Sequence, residues 1–113
     1  MGSDPQLERE VVRLHADFCS ALADPRRLLL IYSLADGAKN VSELTQELDI
    51  SQPSVSRHLK LLREQGLVIS SREGTTVEYE LTDTRLIEAL DTLRAVMRDM
   101  WNRRAEMIDQ VTM

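Results

Sequence analysis

Ser51-Gln52-Pro53-Ser54-Val55-Ser56-Arg57-His58-Leu59-Lys60-Leu61-Leu62 is the stretch on which the fold turns. Ser51 stands as an N-cap and Pro53 falls in the first turn, where a missing N–H costs little. Ile50 and Val55 are spaced as a hydrophobic staple across that start. The helix runs on through Leu59 and Leu62 to Gln65, and Gly66 supplies its C-terminal stop. Val55, Leu59 and Leu62 share one face; Pro53, Arg57, Lys60 and Glu64 fall on the opposite one. Leu61 lies at the margin, under a neighbouring element.

Working back toward the N-terminus, Asp49-Ile50 leaves room only for a tight turn. A short helix precedes it, beginning at Asn40 with Glu43 in capping-box spacing and ending near Leu48. Two helices joined by so short a turn make a helix-turn-helix. Another helix runs from the Asp24 cap and Pro25 to about Ala35, closed by Asp36-Gly37. Leu7, Val11, Leu14, Phe18 and Leu22 make one apolar stripe on a first helix over residues 6–23.

Beyond Gly66 the apolar period shortens to two. Val77, Tyr79 and Leu81 alternate with Thr76, Glu78 and Glu80, a half-buried strand. Leu67 to Arg72 supplies its partner, and Glu73-Gly74 forms the turn of a hairpin, a wing. A last helix over residues 83–110 carries Leu86, Leu90, Leu93, Met97, Met100, Met107 and Val111, nearly a heptad repeat interrupted at Arg104. The expectation is a mainly α winged helix-turn-helix, five helices plus a two-stranded wing, in a single domain over residues 1–113. The first and last helices offer more apolar surface than one small domain covers. Leu7, Val11, Leu14 and Phe18, with Leu90, Leu93, Met97, Met100 and Trp101, are therefore the expected surface of a homodimer.

The composition fits a globular chain: 113 residues, 42% hydrophobic and 29% charged. No apolar run approaches the roughly 18 residues of a membrane span. The start, Met1-Gly2-Ser3-Asp4-Pro5, has no basic stretch followed by an apolar one, so a cytoplasmic protein with no membrane partner is expected. The single cysteine, Cys19, excludes an intrachain disulfide. A net charge of −5 runs against nucleic-acid binding, but residues 51–72 hold Arg57, Lys60, Arg63 and Arg72 against Glu64 alone, a local +3 in a remainder of −8. Taken alone, that basic run is equally a solvated helix face. On the second helix of a tight helix-turn-helix, followed at once by a hairpin, it points to duplex DNA. The DNA-facing set is then Gln52, Ser54, Ser56, Arg57, His58, Lys60 and Arg63, with Arg72 and Thr75 on the wing.

Three stretches in order resemble the arsenic-repressor (ArsR) family: Ala21-Leu22-Ala23-Asp24-Pro25-Arg26-Arg27-Leu28, the segment Ser51 to Leu62, and Gly66-Leu67-Val68 with Arg72-Glu73-Gly74. They cover most of residues 15–82. The resemblance implies a homodimer joined through its first and last helices, repression by binding an inverted-repeat operator, and release by an effector whose identity the sequence leaves open. Thr75 stands where relatives often carry a basic residue, which weakens the wing's share of DNA binding.

The family's metal sites resemble two arrangements, a cysteine pair on the third helix or carboxylate and histidine ligands on the last. Here the first would fall on Asn40 and Ser42, and in the second Asp83 matches but Arg85 stands for a histidine. A guanidinium cannot be a ligand. No metal and no cofactor are expected. His15 and Cys19, four residues apart on one helix face, are the remaining candidates for an effector-responsive pair; the alternative is that Cys19 is a small buried hydrophobe and His15 an edge residue. Met97, Met100, Trp101 and Met107 fit either an effector pocket or packing. A winged-helix module that binds an acidic protein is the competing function. An enzyme is disfavoured, because His15 and His58 lie on different elements and no phosphate-loop, dinucleotide or nucleophile-elbow motif is present.

Overall fold

The computed structural model describes residues 4–112; Met1 to Ser3 and Met113 lie outside them, as do the side chains of Gln110, Val111 and Thr112. A first helical rod comprises α1 (Pro5–Leu14), a π-helical turn (His15–Cys19) and α2 (Ser20–Leu22). Then follow α3 (Pro25–Ser33) with a 3-10 turn (Leu34–Asp36), strand β1 (Lys39–Asn40), α4 (Val41–Leu48) and α5 (Gln52–Glu64). Strands β2 (Val68–Glu73) and β3 (Thr76–Leu81) form the hairpin, and α6 (Arg85–Thr112) ends the chain. The fold is the expected mainly helical winged helix-turn-helix. Two compact units divide it, Met1–Asp83 and Thr84–Met113.

The caps act as the side-chain chemistry demands. Asp24 accepts from the Arg26 N–H at 2.9 Å at the start of α3. Asn40 Oδ1 accepts from the Glu43 N–H at 2.9 Å while Glu43 accepts from the Asn40 N–H at 3.0 Å, a reciprocal capping box. Ser51 caps α5 by position only, for its side chain makes no capping bond. At the far end Leu67 N–H reaches Leu62 O at 2.9 Å and Gly66 N–H reaches Arg63 O at 3.0 Å, the paired bonds of a Schellman stop, with Gly66 at φ +76°.

The core of the first unit gathers Ala21, Leu30, Ile31, Leu34, Leu44, Val55, Leu59, Leu62 and Val68, all essentially inaccessible, with Leu81 close behind. These come from every element from α2 to β3 except the two-residue strand β1, and α5 is seated on the body by the face that periodicity assigned to it. The sheet is antiparallel in the order β1-β3-β2.

Four local details differ from the sequence expectation. A third strand, β1, pairs Lys39 with Tyr79 and Asn40 with Glu78; two residues are too few to show a period. The hairpin turn is Gly74-Thr75, one residue later than expected, because Glu73 still pairs with Thr76 and Gly74 takes φ +63°. The last helix starts at Arg85, not Asp83. The π turn at His15–Cys19 shifts the apolar stripe of the first helix part-way along its length.

Asp49 closes α4 in the left-handed region, at φ 52° and ψ 46°, and is the only non-glycine residue with positive φ among the described residues. Its short side chain tolerates what a β-branched one does not. Asp49→Val is expected to cost about 1–2 kcal/mol in urea unfolding, while Asp49→Gly is neutral or stabilising. Equal stability of the two variants would show that the turn re-forms without this conformation.

Candidate nucleic-acid interface

Pro53 and the apolar residues of α5 orient the helix; what lies on its outer side is then a matter of spacing. Gln52, Ser56, Arg57, Lys60, Arg63 and Glu64 are exposed, with Arg72 and Thr75 exposed on the hairpin. Neither Arg57 nor Lys60 makes an ion pair with any described residue. Arg63 is tethered, its Nη1 donating to Ser70 Oγ of β2 at 3.3 Å, which ties the end of α5 to the wing. The uncapped start of α5 leaves backbone donors for an outside acceptor, and an anion suits that end of the helix dipole. The surface can therefore hold phosphate through two free cations and a helix start, and offer Gln52 and Ser56 as short hydrogen-bonding groups.

Two residues expected on this surface turn inward. Ser54 is 4% exposed and His58 7%. Positions 54 and 58 flank the apolar stripe of Val55, Leu59 and Leu62 and rotate with it toward the body. Ser54 Oγ accepts from Arg26 Nη1 at 3.4 Å. His58 Nδ1 lies 3.2 Å from Arg27 Nη1, and its Nε2 lies 3.7 Å from Asp24 Oδ2. Since arginine only donates, Nδ1 accepts and the ring is neutral with its proton on Nε2. Sequence reasoning had Asp24 as a cap and Arg26-Arg27 as part of a motif; their partners on α5 are tertiary and left no local signal.

The electrostatics follow from these contacts. The Arg26 guanidinium, at 2.9 Å, and the Arg26 backbone N–H hold the Asp24 carboxyl far below the usual carboxylate range. Burial pushes His58 below its usual 6.5; Asp24 opposes this, and Arg26, Arg27 and Arg57 reinforce it. Away from the interface, Glu47 is held down by Lys39 at 2.7 Å and Ser33 at 2.7 Å, a tie between α3, β1 and α4.

The other expected sites are placed as follows. Cys19 and His15 are both exposed in the single chain, and Phe18 between them is half-buried. Asn40 is spent on its cap and Ser42 is exposed. Among the described residues no three His, Cys, Asp or Glu groups stand close enough to hold a metal ion. Leu7, Val11, Leu14, Leu93, Met100 and Trp101 are exposed large hydrophobics, and Phe18 and Met97 are half-buried. Leu90 of α6 is 4% exposed. No described helix is long and apolar enough to cross a membrane.

A buried neutral histidine makes stability depend on pH. The unfolded chain takes up a proton as pH falls through 6.5 while the folded state resists it, so stability falls on acidification from that point until the folded ring also titrates. Urea unfolding across this window should show the loss in the wild type and a smaller one in His58→Asn. Identical slopes would remove His58 as the source.

Comparison with known proteins agrees with this architecture. Residues 24–70 match the bacterial regulatory protein, arsR family. The Biofilm growth-associated repressor of Agrobacterium fabrum is 42% identical over 89 residues, which is 76% of this chain and 75% of that protein. The crystal structure of NolR from Sinorhizobium fredii superposes with a TM-score of 0.70 at 31% identity, covering 85% of this chain and 95% of that one. The homodimeric winged helix-turn-helix DNA-binding domain Mb0332 from Mycobacterium bovis shares the fold, with a TM-score of 0.73 at 24% identity over 90% of this chain and 94% of that one. With its helix-turn-helix, its wing and its outward basic helix face, the chain belongs to the arsR family of bacterial regulatory proteins, transcriptional regulators and not enzymes.

Proposed function

We propose that this protein is a transcriptional repressor that binds an inverted-repeat operator as a homodimer in the cytoplasm, reading DNA with α5. The observation that carries this is the free, outward pair Arg57 and Lys60 on a helix whose other side is wholly seated in the core. Repression is the printed role of the Agrobacterium fabrum relative, and Mb0332 is homodimeric. In this reading Arg57 and Lys60 contact phosphate, Gln52 and Ser56 lie nearest the bases, and Arg63, Arg72 and Thr75 flank them. With Arg63 and Arg72 counted beside Arg57 and Lys60, four basic residues per subunit, roughly six to eight phosphate contacts per dimer give a log–log salt slope of about −5 to −7. Arg57→Ala should flatten it by about two units per dimer, one from each subunit. An unchanged slope and affinity would take Arg57 out of the interface and favour the acidic-protein alternative.

The exposed stripes on α1 and on α6 support dimerisation, each being more apolar surface than a solitary helix face keeps in water. Two recognition helices on a twofold axis require half-sites about 34 Å apart. Met97→Glu with Trp101→Glu should give monomers in sedimentation and abolish operator binding. A wild-type monomer at micromolar concentration would overturn the dimer.

Release from DNA does not run through the family's metal ligands, because Asn40, Ser42 and Arg85 are not thiolates or imidazoles. Exposed Cys19, beside His15, is the group that an oxidant or thiol-reactive effector would reach first. Zinc or cadmium should leave operator affinity unchanged in both wild type and Cys19→Ser. Stoichiometric release of DNA by either metal would show a ligand set outside these positions.

A further inference from the structure

Beneath the basic face of α5, one guanidinium joins two elements. Arg27 Nη2 donates to the Ser20 carbonyl at 2.7 Å and Nε to the Ala21 carbonyl at 3.4 Å, while Nη1 donates to His58 Nδ1 at 3.2 Å. Ser20 and Ala21 lie in the last turn of the first helical rod, where carbonyls are short of helical partners; the Ser20 carbonyl accepts from the Ala23 N–H only at 3.3 Å, longer than its bond from Arg27. His58 lies in the middle of α5, next to Arg57. One turn earlier on α5, Ser54 is met by Arg26, itself gripped through both of its Asp24 bonds at 3.2 and 2.9 Å. The start of α3 therefore holds α5 at two points on one side.

We propose that Arg27 and His58 are a positioning pair for DNA reading, setting the angle of α5 against the first helical rod without touching DNA themselves. This rests on the operator-binding reading above. Arginine is required because its planar fork sends donors in different directions, reaching two carbonyls and an imidazole at once; a lysine ammonium is a single point and reaches one or the other. Histidine is required as an acceptor at the Nδ1 position, which it supplies only while neutral.

The pair is consequently sensitive to acid. A second proton on His58 has to go to Nδ1, turning the acceptor into a donor that faces Arg27. The charged groups around the ring are Asp24 ahead of α3, Arg26 and Arg27 on α3, and Arg57 on α5 itself, three cations against one carboxylate. Nε2 has no hydrogen-bond partner, its nearest carboxylate oxygen being 3.7 Å away, so nothing on the far side of the ring rewards a change of tautomer. When acid does protonate His58, the Arg27 fork loses its third contact and α5 is no longer tied to the rod.

The test uses a duplex enriched from a random library by the full-length wild-type protein, with affinity measured against salt and pH. Arg27→Lys and Arg27→Met should each weaken binding about tenfold or more at neutral pH, with the wild-type salt slope retained, since no phosphate contact is lost. Circular dichroism confirms that the variants are folded. His58→Asn, whose side-chain oxygen stands near the Nδ1 position, should restore near wild-type affinity where His58→Leu does not, and should flatten the loss of affinity down to about pH 5.5. Wild-type binding by Arg27→Lys, a salt slope reduced by about two units in the Arg27 variants, or the same acid dependence in His58→Asn as in wild type would overturn the pair. Failure of the wild type to enrich any sequence would bring down the operator reading and the pair together; enrichment with unaffected Arg27 variants would sink the pair alone.

Discussion

Whatever the outer side of α5 does depends on how its inner side is held. Val55, Leu59 and Leu62 are fully buried, each contributing about 1.5–3 kcal/mol by removal from water. Burying this one-sided stripe sets which face of α5 turns inward, but apolar contact has no preferred direction and leaves the finer angle of the helix loosely determined. Directional contacts refine that angle: Ser54 with Arg26, His58 with Arg27, and Arg63 with Ser70 of the wing. Each such bond contributes only about 0.5–1.5 kcal/mol net, so they do not hold the domain together. They trim the angle at which Arg57 and Lys60 are presented.

Charge is arranged on the same plan. The chain carries −5 overall, yet the α5-to-wing segment is locally positive and its two foremost cations are unpaired by any described residue. A locally positive face on a chain of net negative charge favours the approach of DNA to that face. The wing takes little part in this. Arg72 is followed at once by Glu73, and the turn is Gly74-Thr75, so the hairpin tip is close to neutral. Its mechanical role is better supported than an electrostatic one, because β2 receives the Arg63 tether.

What the sequence disclosed and what it hid divide along a physical line. Features set by neighbours in the chain were legible: the Asp24-Pro25 start, the Asn40–Glu43 box, the Gly66 stop and the apolar face of α5. Features set by distant partners were not. Strand β1 exists only because β3 lies beside it. Ser54 and His58 look like surface polar residues until the two arginines at the start of α3 are seen across from them. The π turn is a departure in backbone hydrogen bonding that composition does not encode.

The position of Arg27 gives that hidden network a consequence at the scale of the assembly. The carbonyls it grips belong to the rod whose other turns expose Leu7, Val11 and Leu14. In the proposed dimer those side chains meet a second copy, so the guanidinium connects the surface that sets the distance between subunits with the helix that must enter the groove. Two recognition helices have to match half-sites about one helical turn of DNA apart, and an error in the angle of each α5 enters that distance twice. In the proposed operator complex this geometry would carry discrimination that phosphate attraction cannot, because that attraction alone is indifferent to sequence.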